Sequence, residues 1–594
     1  MQEQAAINLV WARRLWGTLV ELGLRHVVIC PGSRSGPLSL AADLTPGLNL
    51  FSSIDERSAG FFALGLGRAG LLPVAVVTTS GTAVANLLPA AVEADRSGLP
   101  LLLLSADRPQ RLKNCGANQT VNQEAFLQPA CRCMETLPQP GAATTLPLGE
   151  DPLTGLHRPL PQLQRPLHRA WAALLGDGVR AAGPVHLNQP LEEPLHADGA
   201  TIAALRAEAD ATALPAAEPT CPAPPPVAGP VSQPFPLDPD RSAVIVVGPS
   251  HGDQWQLAAD LRQLVNRTGW PVLADAASGL RGRRDLPLVH GYDLLLPRSD
   301  PGFAPDQVLR LGGCSASRHL QDWLRQLAVP QVQVMEGDDR NWDPLGSVTL
   351  RRSDGLAGVL RALPHGAPAA AALALGERWR RADQQLQRVL DGACSGDGPL
   401  QEPCLARDLD RLLPSQRTLM LANSSAVRDW ESFSGGACPR RVVSFRGASG
   451  IDGTLSLAFG LASHGDAVLL SGDLALLHDS NGWLWAESLR RIGHRLLVVL
   501  IDNGGGGIFE QLPIRQEGVA MERLFTMGQV VDPCTLAAAH GVPSRVVLLR
   551  SDLDAAVAWG LSQPLALLQC CSDARADAAL RQRLRRRQRS DRSP

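Results

Sequence analysis

Lysine is almost missing from this chain of 594 residues: Lys113 stands alone, and arginine supplies the rest of 56 basic residues set against 58 acidic ones. With a formal net charge of −2 there is no basic surplus. The sequence-independent phosphate attraction of nucleic-acid binders is therefore not expected. Tyrosine is equally scarce, with Tyr292 alone. Both scarcities follow a drift toward Ala, Arg, Gly, Leu and Pro and carry no functional reading. Among twelve cysteines there is no Cys-x-x-Cys pair, and only Cys131 with Cys133 and Cys570 with Cys571 are close. That pattern speaks against a zinc site or a disulfide framework and fits a reducing cytoplasm. No apolar run approaches the roughly 18 residues of a membrane span. The first thirty residues, Glu3 and Glu21 among them, read as an amphipathic helix running into a strand rather than a signal peptide.

What remains is an ordinary globular composition, 45% hydrophobic and 19% charged. At roughly 100 to 200 residues per domain it suggests three or four domains. Residues 1–195 alternate strand and helix, with strands near 27–30, 48–53, 74–79 and 101–105, which implies a doubly wound parallel sheet. Within that block the Pro- and Leu-rich stretch 137–166 reads as an irregular surface insertion. Residues 196–240 read as a Pro-rich extended linker. A smaller Rossmann-like block, 241–365, opens on a strand ending in Gly248-Pro249-Ser250. It lacks the G-x-G-x-x-G fingerprint, so no NAD or FAD is expected there. An Ala-rich helical connector (366–400) leads to a third α/β block (401–575). The end, 576–594, carries seven arginines from Arg581 onward and reads as a solvated, frayed tail. The expected fold class is α/β, with three doubly wound parallel-sheet domains.

The third block holds the most telling spacing. A strand at 467–471 ends in Gly472-Asp473, and another at 496–501 ends in Asp502-Asn503 followed by glycines 504–507. Residues 474–491 suffice for a crossover helix, so the strands should be parallel neighbours opening on one side. Asp473 and Asn503 would then face one crevice. Magnesium takes oxygen ligands and fills its octahedron with phosphate oxygens and water. Asp473, Asn503 and a carbonyl of the glycine run, Gly505 foremost, can supply three, and a helix starting near Leu474 would aim its amides at a diphosphate. An acidic turn in a ligand-free βαβ unit is equally compatible with the spacing alone. In the first block, Ile54-Asp55-Glu56-Arg57 follows a strand and opens a helix over 56–68. Taken alone, Glu56 is an ordinary acidic residue in a first helical turn.

Two large α/β blocks flanking a smaller one, with Asp473 and Asn503 at this separation, resemble the thiamine-diphosphate enzymes of the pyruvate-decarboxylase type. That family carries a Gly-Asp-Gly to Asn-Asn motif. Here Gly472-Asp473-Leu474 and Asp502-Asn503 depart at the third and penultimate positions and keep both ligand positions. The resemblance implies thiamine diphosphate with Mg2+ or Mn2+, a metal held by Asp473, Asn503 and Gly505, and Gly472 at the cofactor. It also makes Glu56 the catalytic carboxyl that hydrogen-bonds N1′ of the cofactor pyrimidine.

Several short stretches narrow the resemblance: Pro31-Gly32-Ser33-Arg34-Ser35, residues 79–86 (TSGTAVAN), Ser105-Ala106-Asp107-Arg108-Pro109, Cys115-Gly116-Ala117-Asn118-Gln119, Asn423-Ser424 with Arg428, residues 446–453 (RGASGIDG) and Gly507-Ile508-Phe509. They are similar to the branch of the family that decarboxylates 2-oxoglutarate and adds the succinyl unit to isochorismate, in menaquinone and phylloquinone biosynthesis. The resemblance implies cofactor contacts from Ser80, Gly81, Ser424, Ile451 and Ile508, with Ile451 as the apolar wedge under the bent cofactor; plain core packing is the other reading of the apolar residues. It implies substrate contacts from Ser33, Arg34, Arg108, Asn118, Gln119, Arg318, Arg428, Arg446 and Phe509. Both substrates are dicarboxylates, and arginine forks bind carboxylates bidentately. Arg318-His319 stands where the family has a basic pair, which leaves its role open. In this family the cofactor lies between the first block of one subunit and the third of another, so a homodimer or a dimer of dimers is expected. An acetohydroxyacid-synthase-like carboligase is the nearest rival. Simple decarboxylases carry a His-His pair that is absent here, and a non-catalytic nucleotide-binding module would have no use for Glu56.

Overall fold

The computed structural model describes residues 2–141, 160–177, 180–211, 233–250, 252–296, 301–516 and 519–590. Its strands form three sheets, parallel throughout. The first contains β1 (His26–Ile29), β2 (Asn49–Ser52), β3 (Val74–Thr78), β4 (Leu101–Asp107), β5 (Cys133–Thr136) and β6 (Val185–Pro190), in the order β2-β1-β3-β4-β6-β5. The central sheet contains β7 (Ala243–Val247), β8 (Val272–Ala274), β9 (Gln307–Leu311), β10 (Gln331–Val334) and β11 (Leu350–Arg352), in the order β11-β10-β9-β7-β8. The third contains β12 (Thr418–Leu421), β13 (Val442–Ser444), β14 (Ala467–Gly472), β15 (Leu496–Asp502), β16 (Ser544–Val547) and β17 (Leu565–Cys571), in the order β13-β12-β14-β15-β17-β16. The inner strands, such as β4 and β15, are apolar on both faces because helices cover both. The first and third sheets repeat one topology. Each reverses direction of winding between its first and third strands, β1 and β3 or β12 and β14, and turns back once more at the far edge, from β5 to β6 or β16 to β17; ligands bind where the carboxyl ends of strands part at a reversal of the first kind.

These two sheets share one core. Helix Glu56–Arg68 lies along helix Thr454–Ala462, and buried residues from both join a single apolar cluster. The approach is at backbone distance: a Cβ on Gly65 would stand 2.2 Å from the Leu457 carbonyl oxygen, and one on Gly460 2.2 Å from that of Phe62. At the end of the contact Ser58 Oγ and Ser456 Oγ are 2.7 Å apart, Trp485 Nε1 donates to Ser58 Oγ at 2.9 Å, and Phe62 stacks on Trp485 at 3.7 Å.

Three expectations are corrected. Residues 199–211, expected within the Pro-rich linker, form helix Gly199–Ala211; residues 212–232 of that linker lie outside the described residues. The stretch expected as an irregular insertion ends in helix Pro161–Leu175, which buries Leu163, Leu167 and Leu174. Its proline count misleads because Pro161 occupies the first turn, where a missing N–H costs nothing, and the buried leucines carry the helix through Pro166 in its interior; residues 142–159 lie outside the described residues. The basic tail is helix Ala574–Ser590, docked through Leu580 and Leu584 (3% and 2% exposed), with Arg581 also buried. An i, i+4 leucine pair and one ion cluster suffice to hold a segment whose composition reads as solvent-exposed. No helix among the described residues is long and apolar enough to cross a membrane.

Candidate active site

At the carboxyl ends of the first sheet, four loops converge. After β3, Gly81 takes φ +85°, and a Cβ there would lie 2.9 Å from the Gln119 side chain. The neighbouring Ser80 is buried; its Oγ donates to the Gln119 carbonyl at 3.1 Å and accepts from Arg108, while Gln119 Nε2 donates to the Ser80 carbonyl at 2.8 Å. Gln123, absent from the residues expected at the site, accepts from the Gly81 amide at 2.9 Å and fixes this loop from below. Arg108 follows β4, its amide capped by Asp107 at 2.7 Å. Burial, and then the nearby charge of Arg34, hold the Arg108 guanidinium below its ordinary range. Arg34 donates to the Leu191 carbonyl at 3.0 Å and pairs with Glu193 at 2.6 Å, while its Nε is buried without a partner. Ser33 and Asn118 are exposed at the rim, with Ser33 Oγ 3.4 Å from His196 Nε2. Glu56 opens its helix behind the Asp55 cap, and its Oε2 accepts from Asn86 at 3.4 Å.

The third sheet presents a second basic cluster. Ser424 follows β12 at φ +70°, and its carbonyl accepts from Arg428 at 2.8 Å. Arg446, after β13, donates to Asn423 Oδ1 at 3.2 Å, keeps a buried Nε without a partner, and repels Arg428. The loop that follows is clamped to the first block, where Glu93 accepts from the amides of Gly447 (3.1 Å) and Ala448 (2.7 Å). Ile451 on that loop is 37% exposed and so is not core, while Ile508 and Phe509 are half-buried, Phe509 packing on Phe525 at 5.3 Å. Positive φ at a non-glycine residue costs free energy and gathers where function demands it. Gln119, Ser424 and Ser449 all show it, each in one of these loops.

Between β14 and β15 lies the candidate metal centre. Asp473, 8% exposed, accepts from the Leu474 amide on Oδ1 and the Gly505 amide on Oδ2, both at 2.7 Å. Burial pushes its carboxyl up to about 7, and the charges of Asp502 and Glu402 add to the rise. Asn503 Nδ2 donates to Glu402 Oε1 at 2.6 Å, and Asn503 Oδ1 is buried with no partner. Gly505 takes φ +119°, its missing Cβ leaving room for the Thr526 carbonyl oxygen, which would stand 2.1 Å away; its own carbonyl accepts from Gly507 at 2.8 Å. A buried carboxylate and an orphaned amide oxygen fit a hard dication, which would offset both costs.

The helix expected to aim amides from Leu474 is only Asp473–His478, followed by a 3-10 turn (Ser480–Trp485) and helix Ala486–Ile492. The Leu474 amide at its start donates to Asp473 Oδ1, and six residues align few peptide dipoles. Asp502 is turned toward β17, where its Oδ2 accepts from Gln569 at 2.6 Å, and it acts on Asp473 through its charge. Arg318 is not brought to either cluster: its side chain is 74% exposed and pairs with Asp322. Glu402 was missed by sequence reasoning. It lies 101 residues from Asn503, and no spacing rule connects the two. Among the described residues no hydrogen bond or ion pair joins Glu56, Arg34 or Arg108 to Asp473 or Asn503.

Residues 11–126 match the family described as thiamine pyrophosphate enzyme, N-terminal TPP binding domain. Over 593 residues, 98% of each chain, the sequence is 51% identical to the 2-succinyl-5-enolpyruvyl-6-hydroxy-3-cyclohexene-1-carboxylate synthase of Synechococcus sp. (strain RCC307). The chain belongs to the 2-succinyl-5-enolpyruvyl-6-hydroxy-3-cyclohexene-1-carboxylate synthase family. Synthases of the same name from Synechococcus sp. (strain CC9311) and Prochlorococcus marinus (strain MIT 9313) are each 47% identical, over 96% and 95% of this chain and 98% and 97% of theirs. The benzoylformate decarboxylase of Polynucleobacter necessarius shares the fold, with a TM-score of 0.64 at 16% identity over 95% of this chain and 98% of its own. As a member of the synthase family the chain is a thiamine-diphosphate-dependent enzyme of the transferase class.

Proposed function

We propose that the chain decarboxylates 2-oxoglutarate and adds the succinyl unit to isochorismate, releasing CO2 and 2-succinyl-5-enolpyruvyl-6-hydroxy-3-cyclohexene-1-carboxylate. The observation that carries the substrate class is the pair of arginine clusters. Arg34 with Arg108 and Arg428 with Arg446 stand at the carboxyl ends of two sheets, and Arg34 and Arg446 each keep a buried Nε without a partner. A buried guanidinium donor left unpaired is costly, and a substrate carboxylate satisfies it.

Thiamine diphosphate, when bound, supplies the nucleophilic carbon on which a 2-oxo acid loses CO2 and from which the acyl unit is transferred. The chain's own groups hold and orient. Asp473, Asn503 and the Gly505 carbonyl would hold Mg2+ or Mn2+ against the diphosphate, with Gly472 beside it. Ser80, Gly81 and Ser424 would line the cofactor, Ile451 and Ile508 would support its rings, and Glu56 would hold the proton at the pyrimidine N1′. Arg34, Arg108, Arg428 and Arg446 would grip the four carboxylates of the two substrates, with Ser33, Asn118, Gln119 and Phe509 closing around them. Arg318, exposed on the central domain, would take part only through movement of its helix.

Two chains would complete the site. No hydrogen bond joins Glu56 to Asp473 within one chain, and Ile54 beside Glu56 is 74% exposed. Leu524 and Met527, 53% and 51% exposed, lie on the turn that abuts Gly505 and Gly506. A homodimer, or a dimer of dimers, that seats the first block of one protomer on the third block of its partner would cover both patches. The cysteines among the described residues are all free, which fits a cytoplasmic location.

A product assay with 2-oxoglutarate and isochorismate, each omitted in turn, tests the reading. CO2 release together with a joined product only when both are present is the expected result. Equal turnover of pyruvate with no need for isochorismate would instead favour the acetohydroxyacid-synthase-like alternative.

A further inference from the structure

Asn503 presents its oxygen to the metal crevice because of what stands behind it. An amide has a donating and an accepting end, whereas an ionised carboxylate only accepts. Glu402 Oε1, 2.6 Å from Asn503 Nδ2, therefore selects the rotamer in which Oδ1 points away, and that Oδ1 is the buried atom without a protein partner. Glu402 is itself held from two sides by the C-terminal helix. Its backbone amide donates to Asp577 Oδ1 at 2.9 Å, and its Oε2 pairs with Arg581 Nη2 at 2.7 Å. Arg581, 2% exposed, is steadied in turn by Asp429, which accepts from its Nε at 2.8 Å. On the far side, a Cβ on Gly507 would lie 2.5 Å from Asn503 Nδ2, so the glycine there lets the amide sit against Glu402.

We propose that Glu402 and Arg581 are positioning residues of the metal centre, a relay from the C-terminal helix that fixes which end of the Asn503 amide meets the cation. The relay rests on the metal reading given above. It turns a segment that looks like a solvated basic tail into part of the cofactor site's support. Partners behind a ligand commonly govern metal affinity 10- to 100-fold, on the order of the effect expected here.

Glu402→Gln is the discriminating variant. A glutamine amide both donates and accepts, so it no longer selects the Asn503 orientation, while Arg581 keeps Asp429 as its counter-ion. Manganese binding to wild type and variant is followed by electron paramagnetic resonance in the presence of thiamine diphosphate, alongside thermal melting. The expected result is a Kd for Mn2+ raised roughly tenfold. kcat should recover at high Mg2+, and the KM for isochorismate should be unchanged. Arg581→Lys, which keeps the charge but loses the fork geometry, should give a smaller rise in Kd and serves if Glu402→Gln fails to fold. Manganese affinity equal to wild type in a folded variant overturns the relay alone. Wild type that takes up no manganese overturns the metal reading, and the relay with it.

Discussion

Gly65→Ala should loosen the joint between the first and third blocks, and its size follows from the helix crossing. The added Cβ would meet the Leu457 carbonyl oxygen at 2.2 Å and the Gly460 Cα at 2.7 Å. Backbone C···O contacts settle near 3.3 Å, so the helices must part by about 1 Å. Alanine gains about 1 kcal/mol over glycine in a helix interior. Against that stand about 1–3 kcal/mol of overpacking and about 1 kcal/mol for each weakened hydrogen bond of Ser58, to Ser456 and from Trp485. The net expectation is a loss of about 2–4 kcal/mol at this joint, read as a lower first melting transition and a fall in kcat/KM. Scans must be compared at one rate, since a chain of several domains need not unfold in one step. Gly392→Ala is the internal control: it lies in helix Ala370–Ala393, and a Cβ there would meet nothing within 4 Å. It should stabilise by about 0.5–1 kcal/mol. Gly65→Ala protein that melts at or above wild type, with full activity, would refute the reasoning.

Glu56→Gln should abolish formation of the joined product while leaving thiamine diphosphate bound; full carboligation by this variant, measured by the same product assay, would sink the assigned role. Chelation of divalent ions should release the cofactor, because its diphosphate would then face Asp473 without a cation; calorimetry showing an unaltered Kd after chelation would contradict that. Acidification should weaken the fold through His186, which is 1% exposed, lies 2.8 Å from Ser105 Oγ and is pushed down to about 4 by burial. Its folded value lies below the unfolded value of about 6.5, so its contribution is complete above that pH and fades as pH falls toward 4, by about 2 kcal/mol at pH 5. His186→Gln should therefore lose less melting temperature between pH 7 and pH 5 than wild type does, and equal losses would count against this account.

The boundaries of helix Glu56–Arg68 and the ends of β14 and β15 were legible in the sequence, because apolar strands ending in Gly-Asp or Asp-Asn announce themselves by pattern. Proline content was a poor guide. It hid helix Pro161–Leu175, where leucines at helical spacing outweigh Pro161 in the first turn and Pro166 in the interior. Arg318 shows the reach of tertiary structure in the other direction. A local motif placed it at the site, while the fold leaves it on an outer helix paired with Asp322.

From sequence alone came the class of sheet, the two ligand-bearing strand ends, the acidic helix opening and the arginine loops, all of which are encoded within a few residues of one another. Tertiary structure alone decided which arginines stand together and that Ile451 is exposed. It also decided that Glu402 and Arg581 stand behind Asn503. The reason is physical. Local patterns record how a segment buries its own apolar face, whereas the orientation of one amide depends on charges that the chain brings in from 101 residues away in sequence.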